Sequence, residues 1–104
     1  MEQSDVHTRY KILQAVYRGC KQRKSASYCL MPDVLGYTYS EMNYQLRYMK
    51  TKGLLTYTPR MLMRGYNITL LPPGKNIVEE FETAFFSEDL QRDETMENAL
   101  APLR

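Results

Sequence analysis

Apolar residues recur at helical spacing near the start of the chain: Val6, Tyr10, Leu13, Val16 and Tyr17, then Cys20. That spacing makes one side of a helix apolar and predicts a first helix from about Ser4 or Asp5 to Gly19. Either residue can cap it, since a side-chain oxygen there accepts from free first-turn amides. The polar run "GCKQRKSAS" then breaks the period and reads as a loop. In "YCLMPDVLG", Pro32 is compatible with a helix only in its first turn. A short second helix over Met31 to Leu35 is therefore expected, with a brief extended segment at Tyr28 to Leu30 before it and Gly36 as its end.

The pattern predicts a third helix opening at Ser40, whose hydroxyl caps the amides of Met42 or Asn43. Glu41 suits the positive end of the helix dipole, Lys50 and Lys52 suit the negative end, and Gly53 suits a left-handed C-terminal cap. "LLTYT" and "YNITLL" alternate as strands do, and "PRMLMRG" between them carries turn residues at both ends, so residues 54–71 read as a β-hairpin. "PPG" at 72–74 is a break. Ile77, Val78, Phe81, Ala84 and Phe85 then return to helical spacing and predict a fourth helix over about Pro73 to Phe86. Residues 87–104 are acidic and weakly apolar and read as a flexible tail, part of which could be helical. The division expected is thus one folded domain, 1–86, and a tail, 87–104. The element order, helix, short helix, helix, hairpin, helix, is that of an α+β, mostly α, winged helix-turn-helix domain with a hairpin wing and a C-terminal helix.

The third helix has two unlike sides. Met42, Leu46 and Met49 fall together as a core stripe. Opposite them lie Ser40, Tyr44, Arg47 and Thr51, flanked by Asn43 and Tyr48. Arg binds guanine or phosphate, Asn reads adenine, and Tyr and Ser hydroxyls hold phosphates. Tyr44 and Tyr48 have an alternative use in packing on the wing or a neighbouring helix. Glu41 would accept from a cytosine amine, repel phosphate, or merely cap. Arg60 and Arg64 stand in the hairpin tip, where a wing meets the DNA backbone or the minor groove. Lys21, Arg23 and Lys24 form a second basic cluster, read equally as a phosphate contact or a solvated loop.

Charge sharpens this picture. The net charge of the 104-residue chain is only +2, but residues 1–75 carry 12 basic and 4 acidic residues, a balance of +8, and residues 76–104 carry 2 and 8, a balance of −6. A positive body beside a negative C-terminal segment suits a polyanion partner. Candidate chemistry of other kinds is thin. His7 is the lone histidine, no zinc-ligand spacing occurs, and there is no phosphate loop, nucleophile elbow or paired carboxylate. The expectation is a protein that is not an enzyme and uses no metal or cofactor. No run of 18 apolar residues and no secretory pattern occurs, so a cytoplasmic location without membrane association is expected, with Cys20 and Cys29 reduced.

Over residues 6–86 the sequence resembles the winged helix-turn-helix transcription regulators, most closely the small PadR/MarR-like branch. Leu35-Gly36 stands where that pattern closes its second helix, Ser40, Met42 and Leu46 where it builds the recognition helix, and Gly53-Leu54 where it turns into the wing. "LLPPG" has the spacing of the step into the last helix, with Leu71 in place of a Thr. Pro32 departs from the small residue usual there, and Met61, Leu62 and Met63 make the wing tip more apolar than phosphate contact needs. The resemblance implies sequence-specific binding of double-stranded DNA by a small transcriptional regulator, often dimeric. Asn43, Tyr44 and Arg47 would reach base edges, Ser40, Tyr48 and Thr51 would position the helix, and Arg60 and Arg64 would clamp from the wing. A homodimer would use the C-terminal helix through Phe81, Phe85 and Phe86; the alternative for all three is packing within one domain, and for Phe81 that alternative is preferred. The rival reading is a protein-interaction adaptor that docks through its tyrosines and the Met-Leu-Met tip.

Overall fold

The computed structural model describes residues 2–104. Four α-helices, α1 (Glu2–Arg23), α2 (Tyr39–Thr51), α3 (Pro72–Phe85) and α4 (Arg92–Leu100), surround three strands, β1 (Tyr28–Leu30), β2 (Leu55–Pro59) and β3 (Tyr66–Leu70). The fold is α+β and mostly helical. Two 3-10 turns, Pro32–Leu35 and Ala101–Leu103, complete it. The sheet is antiparallel in the order β1-β3-β2. β2 and β3 form the expected hairpin, paired from Leu55 with Leu70 to Pro59 with Tyr66. The extended segment at 28–30 becomes a third strand, with Tyr28 opposite Ile68.

One core joins all the layers. α1 supplies Ile12, Leu13 and Val16, α2 supplies Met42, Leu46 and Met49, the sheet supplies Leu55 and Ile68, and α3 supplies Val78; each is fully buried. The stripe predicted on the third helix is therefore the buried face of α2. Along β3, Tyr66, Ile68 and Leu70 point inward while Asn67 is exposed, as the two-residue period of a strand requires.

Four local expectations need correction. α1 begins at Glu2, so Ser4 and Asp5 lie within it rather than capping it, and it runs past Gly19 to Arg23. Gly19 is a close approach and not a stop: a Cβ there would collide with the Tyr28 ring. Lys21 and Arg23 then suit the negative end of the helix. The short second helix is a single 3-10 turn with Pro32 at its start. The cap of α2 is Thr38, not Ser40: Thr38 Oγ1 accepts from the Glu41 amide at 3.1 Å, and the Glu41 carboxylate accepts from the Thr38 amide at 2.9 Å. This reciprocal box satisfies two amides at once, which Ser40, already inside the first turn, cannot do.

The far end of α2 meets expectation. Gly53 has φ +75°, its amide donates to Lys50, and the Leu54 amide donates back to Met49. These are the paired bonds of a Schellman stop, and the positive φ favours Gly.

The acidic segment 87–104, expected as a flexible tail that could be helical in part, is ordered by packing. It carries α4 packed along α3, and it ends with Ala99 and Leu103 buried. A few well-spaced apolar side chains bring it onto α1 despite its mean polarity. No helix among the described residues is long and apolar enough to cross a membrane.

Candidate functional site: the open face of α2 and the β2–β3 hairpin

The capping box and the Schellman stop fix the two ends of α2, and its methionine-leucine stripe fixes its rotation. The opposite face is thereby turned outward. Ser40, Tyr44, Arg47 and Thr51 are exposed along it, and Asn43 is half-buried at its border. Their spacing of four, three and four residues makes one ridge. Thr51 spends its hydroxyl on the Arg47 carbonyl at 3.0 Å, one turn back.

Tyr48 is not part of this ridge. Its hydroxyl donates to the Arg104 carbonyl at 2.5 Å, and its ring lies 3.6 Å beneath the Arg9 guanidinium. Arg9 was not foreseen. It is buried, donates through Nε to Gln45 at 2.7 Å and through a terminal nitrogen to the Leu103 carbonyl at 2.6 Å, and faces Asp5 at 4.0 Å. Gln45 in turn donates to Asp5 at 3.0 Å. This network locks α1, α2 and the C-terminal turn together. Its signal in the sequence was Gln45 itself, a polar residue inside the Met42-Leu46-Met49 stripe that needs a buried partner.

The β2–β3 hairpin is joined to α2 by aromatic rings. Tyr66 stands between Tyr39, the first residue of α2, and Tyr57 of β2, with centroids 5.9 and 5.8 Å away. Arg64 lies 5.4 Å over the Tyr39 ring. Burial pushes the Tyr66 hydroxyl above its ordinary pKa, with Tyr39 and Tyr57 adding to the effect. The loop of residues 60–65 closes by an Arg60 amide bond to the Gly65 carbonyl at 3.1 Å. Gly65 has φ +102° and lies against the Leu30 carbonyl, so no side chain fits there without displacement. Arg60 folds over its own loop, donating to the Arg64 carbonyl at 3.3 Å and to the Met63 sulfur at 2.8 Å. Beyond this brace Met61, Leu62 and Met63 project with 95%, 96% and 64% of their surface exposed.

Most of the charge on these two elements is basic, although Asp33 of the 3-10 turn acts on Arg64 and, after Tyr39, favours its charged form. From Met42 to Val78 the chain has no carboxylate, while Arg47, Lys50, Lys52, Arg60, Arg64 and Lys75 are basic. Glu41, the last carboxylate before this stretch, is held below the usual carboxylate range by its hydrogen bonds from Thr38, the backbone amide first. It is occupied as a cap. Lys50 and Lys52 lie over the rings of Tyr57 and Tyr48 at 5.7 and 5.3 Å. The separate basic cluster goes elsewhere: Lys21 and Lys24 line a cleft with Lys75, Tyr17 and Glu79.

The other candidates divide differently. Phe81 is half-buried on Tyr10, with centroids 4.4 Å apart, so it belongs to the packing of the domain. Phe85 and Phe86 meet edge to face at 5.1 Å and are 52% and 77% exposed. Cys20 and Cys29 are both free thiols. A cleft of about 830 Å³ runs between α1 and the C-terminal segment, lined by Tyr10, Tyr48, Phe81 and Leu100. Tyr10 has a buried hydroxyl, and burial, with Glu82 beside it, pushes its pKa up to about 12. Among the described residues no group of His, Cys, Asp and Glu could hold a metal ion. No family model, curated protein or solved structure matches the chain.

Proposed function

We propose that the chain is a winged-helix module that binds double-stranded DNA with sequence preference and serves as a small transcriptional regulator. The observation that carries this reading is the carboxylate-free stretch of residues 42–78, which holds the open ridge of α2 apart from Ser40, together with the wing. A protruding helix suits the wide major groove of B-DNA, where base edges differ most in their donors and acceptors. Asn43, Tyr44 and Arg47 are the side chains that would read bases, and Ser40 and Thr51 would hold the flanking backbone. Arg60 and Arg64 would neutralise phosphates beside the wing. Tyr48 acts in this scheme as a brace behind α2, through Arg104 and Arg9. Phe85 and Phe86 offer an apolar contact for a second copy, and such a dimer would match a two-fold related site.

The exposed Met61-Leu62-Met63 tip favours a second reading, a protein-interaction adaptor on the same scaffold. One experiment separates the two. Fluorescence anisotropy of a random duplex pool at low salt should show binding, and selection from that pool should return a consensus. Arg47→Ala together with Arg64→Ala should abolish binding while the variant keeps the circular dichroism spectrum and cooperative unfolding of a folded domain. An unbound pool at low salt removes the DNA reading and leaves the adaptor.

A further inference from the structure

We infer that the wing tip is an apolar wedge that enters the minor groove, parts a base step and bends the duplex. The inference rests on the DNA reading above and adds how the wing engages. Three features of the tip lead to it. First, Met61, Leu62 and Met63 are the outermost part of the hairpin and contribute nothing to the core. A wing that only tracked phosphates would gain nothing from three consecutive exposed apolar side chains, and their exposure is unfavourable in water.

Second, the tip is bracketed by charge of one sign. Arg60 precedes it, Arg64 follows it, and no carboxylate lies on β2, β3 or the loop between them; Asp33 of the 3-10 turn, which acts on Arg64, offsets one of the two charges and leaves the tip net positive. That complementarity selects a polyanion as the occupant, with phosphates on both sides of an apolar insertion point. Side chains such as Leu and Met, inserted between bases with Arg or Lys alongside, partly unstack a step and kink the duplex.

Third, the tip is held for insertion. Arg60 crosses the loop to the Arg64 carbonyl and the Met63 sulfur, the Arg60 amide closes it on Gly65, and Gly65 is pressed against the Leu30 carbonyl. The base of the wing is fixed to α2 through Tyr66, Tyr39 and Arg64. The wedge is therefore set at a fixed offset from the ridge that would occupy the major groove. A groove-bound α2 and an inserted tip would act on one duplex together.

The test uses an A·T-rich duplex of about 30 base pairs with central TA steps, which unstack readily. A donor and an acceptor dye mark its two ends. The wild-type chain should shorten the end-to-end distance by a bend in the range of about 20–90°. Met61→Ser, Leu62→Ser and Met63→Ser combined should abolish the bend and weaken binding about tenfold, since a modest loss of contact free energy is a factor of that order. These residues are exposed, so the variant should keep the wild-type thermal midpoint. Arg47→Ala should weaken binding but leave the bend of the bound fraction intact. A duplex that is bound without bending, or bent equally by the serine variant, overturns the wedge and leaves the DNA reading standing. A serine variant that loses self-association while bending is unchanged likewise overturns it, in favour of a protein contact. A wild-type chain that binds no duplex at low salt overturns both.

Discussion

Arg9 places a charge among buried groups of three elements. Its hydrogen bonds to Gln45 and to the Leu103 carbonyl are short, and the Tyr48 ring covers the guanidinium plane. Asp5, at 4.0 Å and partly exposed, contributes less as an ion pair than these bonds do. Removing the guanidinium would leave a buried carboxamide oxygen and a buried carbonyl without donors, each an unfavourable state of about 1–3 kcal/mol. Arg9→Met is therefore expected to destabilise the domain by about 2–4 kcal/mol. At this chain length that lowers the thermal midpoint by roughly 10–25 °C. Arg9→Lys should recover little, since a single ammonium cannot reproduce a flat fork with two directed bonds and a stacked face. Circular dichroism melts of the two variants decide the matter; a Lys variant that melts with the wild type would mean that charge alone suffices. The same bond tells against a solvated tail, because the Leu103 carbonyl is where the C-terminal turn closes on α1.

The elements were legible where local chemistry is redundant. The core stripe of α2 follows from Met42, Leu46 and Met49 alone, its stop from Gly53, and the hairpin from turn residues at both ends of 59–65. Legibility failed where a partner lies far along the chain. Tyr48 reads as a flank of the outer face because nothing near it in sequence announces Arg104, 56 residues away. Residues 87–104 read as a tail because their few buried side chains are outnumbered by acids. The cap of α2 is an intermediate case, since Thr38 and Glu41 stand at capping-box spacing and Ser40 merely offers a similar hydroxyl. The box gives Glu41 the capping role among those it offered, its carboxylate accepting from the Thr38 amide. A group with a lowered folded pKa adds stability at pH above the ordinary carboxylate range, and loses it as pH falls through the lowered value. Thr38→Ala should thus cost about 1 kcal/mol at neutral pH. Glu41→Gln should remove the share of acid sensitivity that this carboxylate contributes. Thermal midpoints measured from pH 7 down to pH 2 would show it; a Glu41→Gln curve parallel to the wild type throughout would mean the carboxylate is not held.

Across the whole molecule the charges are sorted by element. All eight acidic residues beyond position 75 lie from Glu79 onward, on α3, α4 and their connection, while the stretch from Met42 to Val78 has six basic residues and no acid. If the chain binds DNA as proposed, charge sorted in this way would favour approach of the polyanion at α2 and the β2–β3 hairpin over approach at α3 and α4. Two arginines in that stretch would have different roles, and salt distinguishes them. A phosphate contact releases a counterion, so its loss lowers the slope of log K against log salt by about 0.9 for B-DNA. A base contact leaves the slope nearly unchanged and relaxes discrimination at one position by about 1–3 kcal/mol. Arg64, in the hairpin loop, should behave as the first kind and Arg47, on the open ridge of α2, as the second. Anisotropy titrations of Arg64→Ala and Arg47→Ala across a salt series, on the selected duplex and on versions with single-pair changes, separate the two. If both variants lower the slope equally and neither changes the preference among duplexes, the open face of α2 grips the backbone and reads nothing. The sequence preference would then have to come from the deformability of the DNA at the wing.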